Sequence, residues 1–229
     1  MSCAIAIFVK TPALSPVKTR LWPGIGQDNA VELFEHSAAA TMSVARRAKA
    51  TTGIHPYWAV AEKIAVAQAC WSDAPHIAQG EGGLGDRMAR VYDRLRREHD
   101  GVMLIGADSP QMSANLLADA VAWLESNEAR LVIGPATDGG FWLFGGNVDL
   151  PVDAWQRPRY SSPETSSEFR AAMQSHGGWL TLETLQDIDE VDDISAVRAA
   201  LEQLPGPTDE QRALLELLER QWLATELLS

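Results

Sequence analysis

Short apolar runs separated by amphipathic helical stretches constrain this chain most. Ala4–Val9, Ile54–Val60, Val102–Ile105, Arg130–Pro135 and Phe141–Phe144 are strand-length, rich in aliphatic and aromatic residues, and bounded by turn or polar residues. His76–Gln79 reads as a shorter strand, and a weak one precedes Asp187. Between them the spacing predicts helices from Asp28 to about Ala50, near Glu62–Trp71, over Leu84–Glu98 with Leu84, Met88, Val91 and Leu95 on one face, and over Ser113–Ser126. Alternation of this kind predicts an α/β domain whose mostly parallel sheet is covered by helices. Further helices are expected around Pro163–Ser175 and Asp192–Leu204, the latter broken by Leu204-Pro205-Gly206-Pro207. Thr208 and Asp209 then start a leucine-rich helix to about Leu227, whose face carries Leu214, Leu215, Leu217, Leu218, Trp222 and Leu223. We therefore expect one domain over 1–204, with 205–229 as a C-terminal amphipathic helix packed on it. A homodimer contact is the competing use of that helix.

Charge and cysteine usage remove several function classes. Of 229 residues, 31 are Asp or Glu against 19 Lys or Arg, so the formal net charge of -12 argues against a nucleic-acid partner. Cys3 and Cys70 form no CxxC pair, which suits a reducing compartment and offers neither a zinc site nor a disulfide framework. MSCAIAIFVK lacks a basic leader, and no segment approaches the ~20 apolar residues that span a bilayer, so a soluble cytoplasmic protein is expected. The five histidines are scattered, no GxSxG elbow occurs, and the one glycine cluster does not follow the first strand. Metalloprotease, serine-triad and dinucleotide-binding chemistry are all disfavoured.

Four stretches carry possible chemistry. In KTPALSPVKTRL, Lys10, Lys18 and Arg20 follow the first strand, on the edge of an α/β sheet where ligands bind, and such cations suit phosphate. The Walker spacing is absent. QGEGGLGDRM places glycines and Arg87 at a helix start, which serves either an anion or a tight turn. GVMLIGADSP ends an apolar strand on Asp108, which either faces a ligand or closes a turn and caps the next helix. GPATDGGFWLFGG sets Asp138, Gly139 and Gly140 between two strands, with Phe141 and Trp142 behind them. Late in the chain, LQDIDEVDDI crowds Asp187, Asp189, Asp192 and Asp193. Capping and the helix dipole explain Asp192 or Asp193, whereas Asp187 and Asp189 have no such explanation. If Asp189 lay within ~5 Å of Asp108, repulsion of roughly 3 kcal/mol would call for a bridging cation or a raised pKa. Mg²⁺ or Mn²⁺ suits such oxygen ligands and shares them with nucleotide phosphates.

FVKTPALSPVKTRL, QGEGGLGDRM, LIGADSP, GPATDGGFWLFG and DIDEVDDI, in this order over roughly Ala4 to Leu201, resemble one family. It is the radical-SAM/selenodomain-associated group of GT-A-like transferases, some labelled arsenosugar-biosynthesis glycosyltransferases, within the nucleotide-diphospho-sugar transferase superfamily. The resemblance implies a GT-A-like three-layer sandwich. It places Lys10, Lys18 and Arg20 on the nucleotide's phosphates and Arg87 near the nucleotide. Asp108 and Asp189 take the metal-binding positions, and Asp138, Gly139 and Gly140 face acceptor or sugar. Two departures are Ser15-Pro16, where the family usually has Pro-Gly, and Phe141-Trp142, where it usually has Tyr-Tyr or Tyr-Phe.

The expected function is a metal-dependent transferase that moves a sugar from a nucleotide sugar to a small acceptor. Asp138 serves as catalytic base, and Phe141 and Trp142 wall the substrate. The alternatives are nucleotidyl transfer from an NTP to a phosphorylated or hydroxylated acceptor with release of pyrophosphate, and a non-catalytic nucleotide-binding or partner module.

Overall fold

The computed structural model describes residues 2–67 and 69–226. Its strands are β1 (Cys3–Val9), β2 (His55–Val60), β3 (His76–Ala78), β4 (Gly101–Gly106), β5 (Arg130–Pro135), β6 (Phe141–Gly146) and β7 (Gly178–Thr181). Its helices are α1 (Trp22–Ile25), α2 (Gln27–Thr52), α3 (Ile64–Ala67), α4 (Leu84–Arg96), α5 (Ala114–Leu124), α6 (Val152–Gln156), α7 (Thr165–Met173), α8 (Asp193–Glu202) and α9 (Asp209–Glu226). One seven-stranded sheet runs in the order β3-β2-β1-β4-β6-β5-β7. Every neighbouring pair is parallel except β4 with β6 and β5 with β6. The α/β sandwich with a mostly parallel sheet is therefore as expected, with β6 the single reversed strand.

Strand alternation builds the layers. In β1, Cys3, Ile5, Ile7 and Val9 face one side, joined there by Met103 and Ile105 of β4 and covered by α2 and α5. Ala4 and Ala6, with Val102 and Leu104, face the other side, under α4, α6 and α7. On that second face Phe144 of β6 packs its fully buried ring against Trp155 of α6 and Phe169 of α7, at centroid separations of 5.3 and 4.8 Å. Burying a ring of that size is worth about 2–3 kcal/mol, and it holds α6 and α7 against the sheet.

A third apolar cluster lies outside α2. Ala30, Leu33 and Ala40 of α2 meet Ile194, Val197 and Leu201 of α8 and Leu214, Leu217 and Leu218 of α9. The start of α9 is locked by a reciprocal capping pair, with the Gln211 N–H donating to Thr208 Oγ1 and the Thr208 N–H to Gln211 Oε1. The Gln211 side-chain amide also donates to the carbonyls of Pro110 and Met112, tying α9 to the loop that follows β4. The side chains of Trp222 and Leu223 lie outside the described residues.

Several local expectations shift. Helix α2 starts at Gln27 after Gly26, one residue before the expected Asp28, which sits inside its first turn. The short helix α1 occupies what reads as loop, and α6 has no sequence signal of its own because five residues show no clear period. Helix α3 spans only Ile64–Ala67 of the expected Glu62–Trp71. Leu84 is not on the buried face of α4 but 47% exposed, because it stands at the rim of a cavity.

No described helix is long and apolar enough to cross a membrane.

Candidate functional site

Parallel strands bring their carboxyl ends to one edge of a sheet. Here β1, β4, β5 and β7 end on that edge and the reversed β6 begins there. The segments after β1, β4, β5 and β7, with Phe141 and Trp142 at the start of β6, are thereby gathered from stretches as far apart in the chain as Lys10 and Asp189.

Two adjoining cavities open at this edge, with volumes of about 350 and 440 Å³. The larger is lined by Lys10, Lys18, Arg20 and Arg87, with Gln79 at its wall. The smaller is lined by Asp138 and Asp187, by Phe8, Phe141 and Trp142, and by Tyr160. Asp108, Asp189 and Leu84 border both.

Asp108 is not spent on the next helix. Ser113 caps α5, accepting from the Leu116 N–H at 3.3 Å, which leaves the Asp108 carboxylate free to accept Lys18 Nζ at 2.6 Å. The Asp108 carbonyl accepts the Ile188 N–H at 2.9 Å, so the strand exit and the late acidic segment are stitched together. Asp189 also faces Lys18, at 3.7 Å, and accepts Arg20 Nη1 at 2.7 Å. The Lys18 ammonium is thus held between the two carboxylates paired in the sequence as metal ligands, and it donates to the Ile188 carbonyl as well. Its side chain is only 6% exposed, and its backbone lies at φ 49°, a left-handed conformation that costs a non-glycine residue about 1 kcal/mol or more. Strain concentrated on the residue that neutralises both acids is characteristic of a functional loop.

The acidic segment is placed by backbone bonds that prolong the β5–β7 pairing. Leu185 donates to the Pro135 carbonyl and Thr137 to the Leu185 carbonyl, while Ala136 and Leu185 form an isolated parallel bridge. Neither Asp192 nor Asp193 caps α8 through its side chain; Asp193, its first residue, instead folds the preceding turn by accepting the Asp189 and Glu190 N–H groups at 2.9 and 2.7 Å. Asp189 is held by Arg20 and Lys18, whereas Asp187 has no ion-pair partner among the described residues. Asp187 Oδ1 is buried without a hydrogen-bond partner. Burial, reinforced by the neighbouring Asp138, Asp189 and Asp108 carboxylates, pushes the Asp187 carboxyl up to about 6.

In the hairpin, turn chemistry and site chemistry coincide. Asp138 Oδ1 accepts the Gly140 N–H at 2.7 Å, closing the turn, while the exposed carboxylate still borders the smaller cavity. Gly140, Phe141 and Trp142 line that cavity too, but Gly139 does not. Gly139 adopts φ 88°, and a Cβ there would stand 2.0 Å from the Pro163 carbonyl oxygen. Its lack of a side chain serves packing against the segment before α7, and its own carbonyl accepts the Ser166 N–H. Trp142 is a fixed wall, buried and donating to the Glu183 carbonyl. Across the other cavity, Arg87 Nε donates to the Gly82 carbonyl. Gly80, at φ 76°, lets the Arg90 guanidinium pass 2.5 Å from where a Cβ would stand, which keeps the glycine loop tight.

Tyr160 joins the site without a motif to announce it, and Gln79 opens the QGEGGLGDRM stretch without a role of its own in the sequence reading. Gln79 is buried, its amide donating to the Val9 and Ala59 carbonyls. Asp187 lay within the stretch singled out from the sequence but had no role assigned there.

A bacterial family described as "Uncharacterized protein conserved in bacteria (DUF2064)" matches residues 39–162, more than half of the chain. The chain belongs to that family. None of the curated proteins matches it. Among solved structures, a Desulfovibrio desulfuricans G20 protein provisionally named a nucleotide-diphospho-sugar transferase superposes with a TM-score of 0.84 at 24% identity, over 99% of this chain and 98% of that one. A CMP:2-keto-3-deoxy-manno-octonic acid synthetase complexed with CTP reaches 0.52 at 12% identity, over 89% and 99%. A 4-diphosphocytidyl-2C-methyl-D-erythritol synthase from Anaerococcus prevotii DSM 20548 reaches 0.56 at 10%, over 88% and 96%. The fold is that of the nucleotide-diphospho-sugar transferases and cytidylyltransferases.

Proposed function

We propose that this protein is a transferase that holds a nucleotide sugar by its diphosphate in the basic cavity and passes the sugar to a small acceptor in the acidic, aromatic one. The observation that carries this reading is the division of charge across Asp108 and Asp189, with cations on one side and carboxylates on the other. Lys10, Lys18, Arg20 and Arg87 stabilise the diphosphate as it departs, which is electrostatic catalysis by preplaced charge. Lys18 is held in place by its carboxylate partners and reaches the phosphates from there. Asp138 or Asp187 takes the proton from the attacking group, and the aromatic wall excludes water from the reacting centre.

Asp108 and Asp189 offer the hard oxygen donors that Mg²⁺ or Mn²⁺ prefers, and the ammonium between them marks a place where positive charge is required. No group of three or more His, Cys, Asp or Glu side chains is assembled for a metal among the described residues, so an ion there would take part of its shell from the donor's phosphates. These two residues would hold it, and it would neutralise charge on the departing diphosphate.

Nucleotidyl transfer is the second reading, favoured by the fold it shares with cytidylyltransferases. A phosphorylated acceptor would have to enter a cavity that carries aspartates and, among the described residues, no Lys, Arg or His. That places sugar transfer to a non-anionic acceptor first. The resemblance to arsenosugar-biosynthesis glycosyltransferases points the same way.

The product decides between them. Incubation with nucleotide sugars, nucleoside triphosphates and small hydroxyl or amine acceptors should release free nucleoside diphosphate under sugar transfer. Release of pyrophosphate instead would move the assignment to nucleotidyl transfer, and release of neither, with bound nucleotide, would make the protein a binding module.

A further inference from the structure

Charge around the smaller cavity does not balance. Four aspartates border it: Asp108, Asp138, Asp187 and Asp189. Lys18 and Arg20 neutralise Asp108 and Asp189 from the basic side. Among the described residues, Asp138 and Asp187 have no ion-pair partner, and Asp187 Oδ1 is a buried oxygen with no donor at all. An unpaired buried carboxylate oxygen costs a folded protein stability unless a ligand completes it. Most of the remaining lining is aromatic or aliphatic, with Phe8, Phe141, Trp142, Tyr160, Leu84 and Met88, and the rest includes the polar Ser109, Ser161 and Thr165. Carboxylates set among ring faces recognise an organic ammonium, whose charge meets the acids and whose body meets the rings.

We propose that the acceptor is a small organic cation, carrying a protonated amine that Asp138 and Asp187 hold against the aromatic wall. A bare divalent ion fits this half of the site less well. It needs several converging oxygens, yet no three-ligand group is assembled among the described residues and Asp138 Oδ1 already holds the Gly140 N–H. A volume of about 350 Å³ also leaves room for a molecule with a ring or branched chain. This inference rests on the transferase reading, since it names the acceptor for that site.

The test is calorimetric titration of the whole protein at pH 7.5 with three probes of one shape: benzylammonium, benzyl alcohol and benzoate. Benzylammonium should bind at least tenfold more tightly than the alcohol, and benzoate should not bind. Asp187→Asn and Asp138→Asn should each bring the ammonium down to the alcohol's affinity, and each should keep the thermal stabilisation given by nucleoside diphosphates. Asp138→Asn retains an oxygen for the Gly140 N–H, so one variant keeps its local fold whatever happens to the other. Equal binding of all three probes, no binding of any, or a preference that survives both substitutions overturns the proposal. Displacement of benzylammonium by Mn²⁺ alone, without nucleotide, also overturns it and makes the acids an inorganic cation site. Nucleoside diphosphates titrated in parallel separate the two claims. Nucleotide binding without ammonium preference removes the acceptor assignment and leaves the transferase reading. Loss of nucleotide binding from wild-type protein removes the transferase reading itself.

Discussion

The two halves of the site are built in opposite ways. The basic half owes most of its charge to one continuous loop, Lys10 to Arg20, with Arg87 added from α4. Its Arg20 is well exposed, and its central cation Lys18 sits on strained backbone. The acidic half is assembled from strand ends and the pieces between them, each tied down by backbone bonds: Asp108 to Ile188, Leu185 to Pro135, and Gly139 to Ser166. A loop of cations can adjust to a flexible polyphosphate. A cavity whose walls are buried tryptophan and anchored carboxylates selects by shape and by where charge is fixed. Adaptable grip on one side and rigid selection on the other is the division that the proposed transfer from a nucleotide sugar to a small acceptor would use.

Substitutions should separate the halves, with Asp108 belonging to both. Asp108→Asn removes the charge that holds Lys18 and borders each cavity, and should lower turnover by about a thousandfold or more in a steady-state assay of nucleoside diphosphate release. Retention of more than a tenth of the activity would mean that the carboxylate only steadies the loop. Chelation with EDTA should come next, costing about a hundredfold in turnover while leaving benzylammonium binding unchanged, since the ion's place is on the donor side. Arg87→Ala should weaken nucleoside diphosphate binding about tenfold, the worth of one charge-assisted hydrogen bond, without altering affinity for the ammonium probe.

The smallest effect is on stability and has the opposite sign. In metal-free protein the Asp187 carboxyl holds its proton up to about 6, whereas an unfolded aspartate releases it near 3.8. The folded state therefore binds more protons between these values, and stability falls as pH rises through that window. Asp187→Asn should remove that slope. Above pH 6 it should stabilise the protein by about 1 kcal/mol, after allowing for the solvent that screens a half-buried group, or roughly 2–4 °C in Tm. At pH 4 the variant and wild type should melt together. A lower Tm at pH 7.5 would show that Asp187 is part of the scaffold rather than held at a cost for function.

Legibility in the sequence follows the same division. The layers were readable because β1 and β4 carry their alternation and apolar runs openly, and because the intervening helices have a clear period. The Asp138–Gly140 turn signals that β6 folds back on β5, but not that β6 inserts between β4 and β5, which tertiary pairing decides. The cations after β1 stand out because three of them fall within one short loop of an acidic chain. The acidic cavity was only partly visible. Asp108, Asp138 and the 187–189 acids each stand out, but nothing local tells that Asp193 folds back on the Asp189 and Glu190 N–H groups, or that Asp189 pairs with Arg20 while Asp187 stays without an ion-pair partner among the described residues. Nothing local told that Gly139 would be consumed by packing against Pro163, or that Tyr160 would arrive from the segment between α6 and α7. The ammonium between Asp108 and Asp189 is the sharpest gain from three dimensions, since sequence supplied both acids and the lysine but not their arrangement.

The most direct measurement is titration of a nucleoside diphosphate panel, with Mn²⁺, into wild-type protein and into two double variants, one lacking Lys10 and Arg87 and one with Asp138 and Asp187 changed to asparagine. The account predicts that one diphosphate binds wild type, that the basic variant loses at least a hundredfold in affinity, and that the acidic variant binds within threefold of wild type. Equal loss in both variants, or loss only in the acidic one, would contradict a site divided into a phosphate side and an acceptor side.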